Sequence, residues 1–312
     1  MTENKKLLVI INPISGVGKQ KTIEAVLESH LNHNLFDYEI RYTQYAHHAT
    51  TIAEEACLSK RYDAIIAVGG DGSVNDVAAG IRAAKSDVAL GIIPCGSGNG
   101  LARHLRIPLS PKKAMDVINN FYSEKIDTVS INGKTCVSIA GIGFDALVAH
   151  KFSTTKTRGL QAYTEVIVSE YPFYKPITYK LNIDGRDVER KALFVSFANS
   201  NQFGYNAVVA PSASLKDGLI DVCIVEQIPI IHMPIIAQLV YTKHFDLSQH
   251  VEIIKAKNIK VYNNEYEWVN LDGEAVKMGG ELDICIDSES LKIICPNGKE
   301  KSSSGGGLFD QS

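Results

Sequence analysis

The first third of the chain alternates apolar runs with stretches of helical periodicity. Four apolar runs predict buried strands, at about 7–12, 37–43, 63–68 and 89–94. Helical patterns separate these runs, at 19–33, 47–59 and 73–84, and helical character continues from Leu101 to Phe121. Strands that alternate with helices predict a parallel sheet with helices on both faces.

After about Lys125 the pattern changes to short apolar segments separated by turn residues. The predicted strands of this part are Lys134–Ala140, Ile177–Ile183, Ala192–Ala198, Leu219–Val225, Ile253–Val261, Glu267–Leu271 and Leu282–Ile286. Helical patterns interrupt them at 159–170 and 231–243. Many short strands at this spacing are typical of an antiparallel β-sandwich. The fold class predicted from the pattern is therefore α/β, with an N-terminal parallel-sheet domain over 1–125 and a C-terminal β-sandwich domain over 126–290.

Composition adds the size and the setting. A chain of 312 residues with 45% hydrophobic content can bury a large core, and its length favours two domains. The net charge of −3 gives no general attraction to nucleic acid, which is not expected as a partner. Six cysteines without a Cys-x-x-Cys pair suit a reducing, cytoplasmic setting. The Ser/Gly-rich tail, 302–312, is predicted to be disordered.

The termini and the long apolar stretches exclude two further classes. The N-terminal apolar stretch ends at Asn12-Pro13, too early for a signal peptide, and no stretch approaches the length of a transmembrane helix.

Glycine-rich turns follow three of the predicted strands. They read Asn12-Pro13-Ile14-Ser15-Gly16-Val17-Gly18-Lys19, Gly69-Gly70-Asp71-Gly72-Ser73-Val74-Asn75-Asp76 and Cys95-Gly96-Ser97-Gly98-Asn99-Gly100. Glycines let backbone N–H groups approach a phosphate closely, and the helix that follows points its positive end at the same anion. The first turn fits neither the P-loop spacing nor Gly-x-Gly-x-x-Gly, which disfavours P-loop NTPases and dinucleotide-binding Rossmann enzymes. Three such turns together still predict a nucleotide.

The three turns, taken with Leu271-Asp272-Gly273-Glu274, resemble the ordered motifs of the diacylglycerol kinase and sphingosine kinase catalytic family, including its soluble bacterial lipid kinases. The resemblance runs from about residue 5 to residue 295. It implies transfer of the γ-phosphate of ATP, with Mg²⁺, to a primary hydroxyl of a diacylglycerol-like lipid or a sphingoid base. In that family the last residues of the chain return to the first domain, here about 291–301. NAD kinases share the Gly-Gly-Asp-Gly turn and are a less favoured alternative.

The resemblance and the glycine turns together assign a nucleotide site. The residues expected to contact the nucleotide are Asn12, Pro13, Ser15, Gly16, Thr43, Gly69, Gly70, Gly72, Ser73, Val74, Asn75, Ser97 and Asn99, and Arg158 is expected to contact phosphate. Two histidines close to Thr43, His47 and His48, are expected to lie on a solvated helix face without a role.

Three acids are candidates for the catalytic role. The resemblance assigns the base to Glu274, with Asp272 as the partner of a metal-bound water, while Asp71 matches the base of the sphingosine kinase branch. Without the resemblance, Asp272-Gly273-Glu274 would be read as an exposed hairpin turn. Gly100 stands where diacylglycerol-type kinases carry an aspartate of their magnesium–water network, and sphingosine kinases have a small residue there.

The resemblance also assigns residues in the second half of the chain. Asp145 matches a contact to the substrate head group, although it could equally cap a helix over 146–152. A structural Mg²⁺ site is implied at the Asp217 side chain and the carbonyls of Ser214 and Leu219, where an ordinary Asp-Gly turn is the alternative.

The expected partners are a lipid substrate and a transient membrane surface, which makes the protein peripheral at the membrane. The sequence leaves a homodimer open. It also leaves open a non-catalytic nucleotide or lipid sensor of the same fold, one that has lost the aspartate network at Gly100.

Overall fold

The computed structural model of the chain describes residues 4–14, 22–155, 159–265 and 267–297. Within these residues the strands form two sheets, one of ten strands and one of six. The tail predicted to be disordered, 302–312, lies outside the described residues, as do three residues of the predicted nucleotide site, Ser15, Gly16 and Arg158.

The strands follow one another along the whole chain. In chain order they are β1 (Lys5–Ile11), β2 (Phe36–Tyr42), β3 (Ala64–Gly69), β4 (Ala89–Pro94), β5 (Ser123–Ile131), β6 (Lys134–Cys136), β7 (Ile139–Gly143), β8 (Ile177–Ile183), β9 (Arg186–Ala192), β10 (Phe194–Ala198), β11 (Ile220–Val225), β12 (Val251–Ala256), β13 (Asn258–Val261), β14 (Trp268–Leu271), β15 (Glu274–Lys277) and β16 (Leu282–Ile294).

Most of the helices belong to the first half of the chain. They are α1 (Ile23–His30), α2 (His48–Ser59), α3 (Asp71–Ala83), α4 (Gly100–His104), α5 (Pro111–Asn120), α6 (Phe144–Ser153), α7 (Leu160–Glu170) and α8 (Met233–Tyr241). Short 3₁₀ turns at Ile230–His232 and Phe245–Leu247 flank α8. Among the described residues no helix combines the length and the apolar composition needed to cross a bilayer.

The parallel part of the larger sheet has the strand order β2-β1-β3-β4. Strands β3 and β4 are buried at every position, which explains why they are unbroken apolar runs in the sequence. Helices α2 and α3 pack on one face with a core that includes Leu8 and Ile65, and α1 and α5 pack on the other with Leu7 and Ile66. Helices on both faces confirm the predicted α/β arrangement.

The last strand joins the two halves of the chain. Strand β16 pairs with β5 in antiparallel fashion over most of its length, and its final residues lie beside β4, with Ile293 opposite Leu90. Strands β5 and β16 run through the domain boundaries predicted near 125 and 290, so the larger sheet continues from one part of the molecule into the other.

The smaller sheet is antiparallel and has the order β12-β11-β10-β7-β14-β15. It packs face to face on the second half of the larger sheet, through a core that joins Val129 and Leu181 of the large sheet to Ile142 and Val195 of the small one. The predicted β-sandwich is confirmed. Two predicted strands were wrong: Lys134–Ala140 is divided between β6 and β7, and Ile253–Val261 between β12 and β13, because in each case the chain crosses from one sheet to the other.

Candidate active site

Two glycine-rich turns touch each other at the carboxyl ends of β3 and β4. A Cβ added at Gly96 would lie 2.4 Å from the Cα of Gly70, so Gly96 cannot carry a side chain, and a Cβ at Gly70 would lie only 3.2 Å from the Cα of Gly96. The backbone N–H of Cys95 also donates to the carbonyl oxygen of Gly69 at 2.8 Å. Helix α3 begins at Asp71, earlier than the expected start near Ser73, with Gly70 in an extended conformation before it. The positive end of α3 therefore faces the same space as the turns.

The described part of the first turn lies against this pair. The amide of Asn12 donates to the hydroxyl of Ser73 at 3.4 Å, and its oxygen accepts the N–H of Ile14 at 3.1 Å. The N–H of Thr43, at the end of β2, donates to the carbonyl of Ile11 at 2.9 Å. The structure thus brings Asn12, Thr43 and the second turn to one edge of the sheet, as their sequence positions predict.

Asp71 lies beside the third turn, where a Cβ added at Gly98 would be 3.1 Å from its Oδ2. Burial, followed by the charge of Asp272, raises the pKa of Asp71 to about 6, and the backbone N–H groups of Gly100, Asn99 and Leu101 oppose that rise. A carboxylate of the protein itself therefore lies at the turn where the sequence predicts phosphate contacts.

Asn99 shapes the third turn from inside. Its side chain is buried, accepts the N–H of Gly96 at 3.0 Å and donates to the carbonyl oxygen of Gly96 at 2.6 Å. Its backbone is left-handed, with φ 52°. The contact of Asn99 with a nucleotide stays a prediction, and so does that of Ser97.

Gly100 has no room for a side chain. A Cβ at this position would lie 2.8 Å from the carbonyl oxygen of Gln202 and 2.9 Å from that of Phe203. An aspartate here would collide with the backbone of that segment. The close packing of α4 against residues 202–203 therefore requires glycine at position 100, where diacylglycerol-type kinases carry an aspartate.

Asp272 ties three parts of the molecule together. Its buried carboxylate accepts the backbone N–H groups of Val137, Ser138 and Ile139 at 2.7, 2.8 and 3.0 Å. The amide of Asn75 in α3 donates to it at 2.6 Å and also to the carbonyl oxygen of Thr135 at 2.8 Å. These donors leave the carboxylate little capacity for a metal-bound water, which is the role that the sequence assigns to it.

Glu274 reaches the second turn from the smaller sheet. It follows a two-residue hairpin loop in which Asp272 and Gly273 have φ values of 49° and 90°, as a type I′ turn requires. Its carboxylate lies directly over Gly72, where an added Cβ would be 2.1 Å from Oε1. The smaller sheet therefore brings Glu274 to the first turn of α3, where Gly72 follows Asp71.

The pKa of Glu274 is raised. Although the residue is exposed as a whole, protein atoms crowd its carboxyl group and remove part of its hydration, which is the largest cause. The charge of Asp76 raises the pKa further, and His47 opposes it. A carboxyl group with a raised pKa is a stronger proton acceptor in its ionised form.

Asp145 belongs to the same hydrogen-bond network. It lies in the first turn of α6, which begins at Phe144, so it is a residue of the helix and not the cap of a helix over 146–152. The Asn270 amide donates to both carboxylate oxygens at 3.0 Å, and the Asn270 oxygen accepts the N–H of Gly273 at 2.9 Å. Burial raises the pKa of Asp145 to about 7. The predicted head-group contact is thus coupled to the hairpin that carries Glu274.

Sequence reasoning missed Asn270, which holds this network together. A signal was available, because Asn270 lies two residues before Asp272, and alternate residues of a strand share a face. A buried amide on the face that carries a candidate catalytic acid is a reasonable candidate for a supporting role.

Lys255 complicates the predicted magnesium site. Its ammonium group donates to Asp217 at 2.9 Å, to the buried carboxylate of Asp221 at 3.0 Å and to the carbonyl oxygen of Ser212 at 3.4 Å. The other oxygen of Asp217 accepts the N–H of Leu219 at 3.2 Å. A dication bound to Asp217 would lie beside an ammonium group and be repelled by it, so these residues do not fit magnesium while Lys255 is in place.

Comparison with known proteins connects both halves of the chain to one group. The model of the diacylglycerol kinase catalytic domain matches residues 6–131, and that of the YegS C-terminal NAD kinase beta sandwich-like domain matches residues 138–294. The diacylglycerol kinase of Bacillus subtilis (strain 168) is 31% identical over 280 residues, which cover 86% of this chain and 90% of that protein. The diacylglycerol kinase of Mycobacterium tuberculosis (strain H37Rv) is 30% identical over 225 residues, 70% of this chain and 72% of that protein.

A solved structure agrees with the fold. The crystal structure of a diacylglycerol kinase from Bacillus anthracis (strain Sterne) superposes with a TM-score of 0.72 at 24% sequence identity, and covers 95% of this chain and 98% of that one. The two-domain architecture is therefore shared with that protein.

Proposed function

Because this chain belongs to the diacylglycerol kinase family, we propose that it transfers the γ-phosphate of ATP to a primary hydroxyl group of a lipid. The position of Glu274 carries the proposal. A carboxylate from the smaller sheet lies over Gly72, in the first turn of the helix that follows a glycine-rich turn. Phosphoryl transfer needs a bound nucleotide and a base beside the attacking hydroxyl. The second glycine turn offers a site for the nucleotide phosphates, and the Glu274 carboxylate beside it offers the base.

The nucleotide would be held by the first two glycine turns. The positive end of α3 faces the edge of the sheet where the second turn lies, and the close contact of Gly70 with Gly96 keeps side chains away from it. Asn12, Ser73 and Thr43 supply polar groups at the same edge. Mg²⁺ bound to the nucleotide phosphates would neutralise the charge that develops during transfer.

Glu274 is the stronger candidate for the base. Asp71 lies against the third turn, whose backbone N–H groups stabilise its ionised form. Glu274 is an exposed residue of the hairpin in the smaller sheet, and its carboxylate lies over Gly72 of α3. We propose that Glu274 takes the proton of the lipid hydroxyl and that Asp71 contributes through its charge.

A diacylglycerol-like lipid is the first candidate for the substrate. The pKa of Asp145 is raised to about 7, so near neutral pH a large fraction of this carboxyl is protonated and can donate a hydrogen bond to an uncharged head group. A sphingoid base is the second candidate, because Gly100 matches the small residue of sphingosine kinases and the ionised form of Asp145 would pair with its ammonium group.

The lipid must be reached at a membrane, and one face of the molecule suits that contact. Phe173, Ile230 and Ile231 are 83%, 71% and 82% exposed. The N–H of Ile228 donates to the hydroxyl of Tyr171 at 3.0 Å, which brings the end of α7 and the segment before α8 together. Apolar side chains gathered in this way mark interaction surfaces. We propose that this face touches the bilayer during turnover.

The function is tested by incubating the protein with a mixed lipid extract and ATP labelled in the γ-phosphate, followed by mass spectrometry of the products. We expect a labelled lipid phosphate, and its mass identifies the lipid. In a parallel incubation with NAD in place of the lipid extract, phosphorylated NAD would establish the NAD kinase alternative instead. A protein that binds ATP and lipid without any labelled product is the sensor, and that result would contradict the proposal.

A further inference from the structure

His47 is held in a defined position, although the sequence places it on a solvated helix face. It precedes α2 with a left-handed backbone, φ 59°, a conformation in which asparagine, aspartate and histidine are the enriched residues besides glycine. Its ring nitrogen Nδ1 lies 2.8 Å from a carboxylate oxygen of Asp76. The Asp76 side chain is only 17% exposed, whereas that of His47 is 64% exposed. His47 is therefore on the solvent side of the pair, and Asp76 is on the side of α3 that packs against the protein.

Asp76 lies on the part of α3 that faces the hairpin. It follows Gly72 by four residues, so the two positions are neighbours on one face of the helix. Glu274 covers Gly72 on that face. The carboxylates of Asp76 and Glu274 therefore lie about one helical turn apart along α3. Of the two, Asp76 is the one that contacts the imidazole of His47.

The other charged groups around the pair are few. From α2, Thr50 donates its hydroxyl to Asp76 at 3.4 Å. Glu274 acts on His47 from β15 and Lys134 from β6, with opposite signs. Asp272 adds a further negative charge near Glu274. Among the groups named here, His47 and Lys134 are the two that can carry a positive charge and offset the negative charges of Asp76, Glu274 and Asp272.

We propose that His47 is a positioning residue of the phosphotransfer site: paired with Asp76, it offsets the negative charge beside Glu274 and keeps that base ionised. This inference rests on the proposed function, because it concerns the base of that reaction. The electrostatics point the same way. The hydrogen bond to Asp76 raises the pKa of His47, and the charge of Asp76 raises the pKa of Glu274 while that of His47 lowers it.

The test compares three variants in the full-length protein. His47→Asn tolerates the left-handed backbone and cannot carry a charge, Asp76→Asn removes the charge that His47 offsets, and the third variant combines both. His48→Asn is the matched control, because His48 accepts the N–H of Gln44 and stacks on Tyr45 instead of contacting Asp76.

The readout is kcat/KM for lipid phosphorylation against pH. A base must be ionised, so the rate falls on the acidic side of its pKa. In His47→Asn the uncompensated Asp76 raises the pKa of Glu274, and we expect the acidic limb to move to higher pH, with kcat/KM about threefold lower on that limb. Asp76→Asn should move the limb the other way, the double variant should return close to the unmodified protein, and His48→Asn should leave the limb in place.

NMR titration of the histidine side chains gives a readout that needs no activity. The pKa of His47 should fall in Asp76→Asn, while that of His48 stays the same. An unchanged His47 titration in Asp76→Asn, or an unchanged acidic limb in His47→Asn, overturns the inference. If the unmodified protein phosphorylates no lipid, the proposed function fails and the catalytic role of His47 fails with it, whereas the NMR result still reports whether the ion pair exists.

Discussion

Gly72 and Glu274 meet at a contact that leaves no space for one more carbon atom. Within the helix, an alanine at position 72 is favoured over glycine by up to about 1 kcal/mol. Its methyl group, however, would overlap the Glu274 carboxylate, the mobile end of a side chain that must then move. The substitution is therefore expected to displace the Glu274 carboxylate without lowering the stability of the fold.

For Gly72→Ala we expect an unchanged or slightly higher free energy of unfolding, with kcat/KM lowered tenfold or more, since a misplacement of ~1 Å can cost on the order of a hundredfold. Denaturant unfolding and steady-state kinetics measure the two quantities. Gly80→Ala is the matched control in the same helix, because its methyl group would lie 2.4 Å from the backbone oxygen of Thr50, which cannot move aside. It should lose about 1–3 kcal/mol of stability and keep its activity when folded. Full activity of Gly72→Ala would show that Glu274 is not held where the reaction takes place.

The buried carboxyl group of Asp145 should make stability depend on pH. Its pKa in the folded protein is about 7, above the ordinary value of 3.8. The folded state therefore holds its proton more tightly than the unfolded state, and stability falls as pH rises from about 4 to about 7. A shift of about three units corresponds to about 4 kcal/mol, which is an upper bound for the whole effect.

Asp145→Asn removes this titration and keeps one acceptor for the amide of Asn270. We expect the variant to gain stability relative to the unmodified protein above pH 7 and to lose that advantage near pH 4. Urea unfolding at several pH values measures the difference, with Asp116→Asn on the exposed face of α5 as control. Parallel pH profiles for the unmodified protein and Asp145→Asn would contradict the raised pKa.

Sequence reasoning located the site residues better than it assigned their tasks. The order of the motifs and the rule that ligands collect at the carboxyl ends of parallel strands brought Asn12, Asp71 and Thr43 to one edge. The partners of Asp272 could not be predicted, because the three N–H groups that it accepts lie more than 130 positions away in the chain. A local pattern says nothing about such contacts.

At the scale of elements, the two divided strands show where periodicity stops being informative. Residues 134–140 and 253–261 are each predicted as one strand, yet each contributes to both sheets. Apolar residues occur on both sides of each crossing, so the hydrophobic pattern does not show where the chain changes sheets. Strands β3 and β4 were easier, since burial on every side gives the uniform apolar runs of a parallel sheet.

Lys255 of β12 contacts Asp217 in the loop before β11, and its positive charge opposes the binding of Mg²⁺ there. With its ammonium group between Asp217 and Asp221, we expect the melting temperature of the unmodified protein to be independent of Mg²⁺. Lys255→Met removes the competing charge and leaves the buried Asp221 carboxylate without a cation beside it, so it should lower the melting temperature and make it rise with added Mg²⁺. Thermal unfolding at graded Mg²⁺ concentrations, with Ca²⁺-free buffer and a Lys257→Met control, measures both. A strong Mg²⁺ dependence in the unmodified protein, lost in Asp217→Ala, would restore the metal site predicted from the sequence.

At the scale of the whole molecule, a strand shared by the two domains and the hydrogen bonds of Asp272 together position the base relative to the nucleotide turns. Strand β16 runs from the sandwich to β4, and the hydrogen bonds of Asp272 fasten the hairpin of the smaller sheet to Asn75 in α3. The composition and the change of pattern near Lys125 predicted two domains of different architecture. They could not predict that the domains are joined by a shared strand, because a strand shared between two domains has the same local pattern as any other.

The central claim is that Glu274, whose carboxylate lies over Gly72, is the base of a lipid kinase. The most direct measurement is the rate of phosphate transfer from labelled ATP to a diacylglycerol in vesicles by the unmodified protein, Glu274→Gln, Asp71→Asn and the exposed control Glu281→Gln. We predict that Glu274→Gln and Asp71→Asn each lose at least about a hundredfold in kcat, the scale expected for a positioned acid or base, while Glu281→Gln and the folded structure are unaffected. Near-normal transfer by Glu274→Gln would contradict the account.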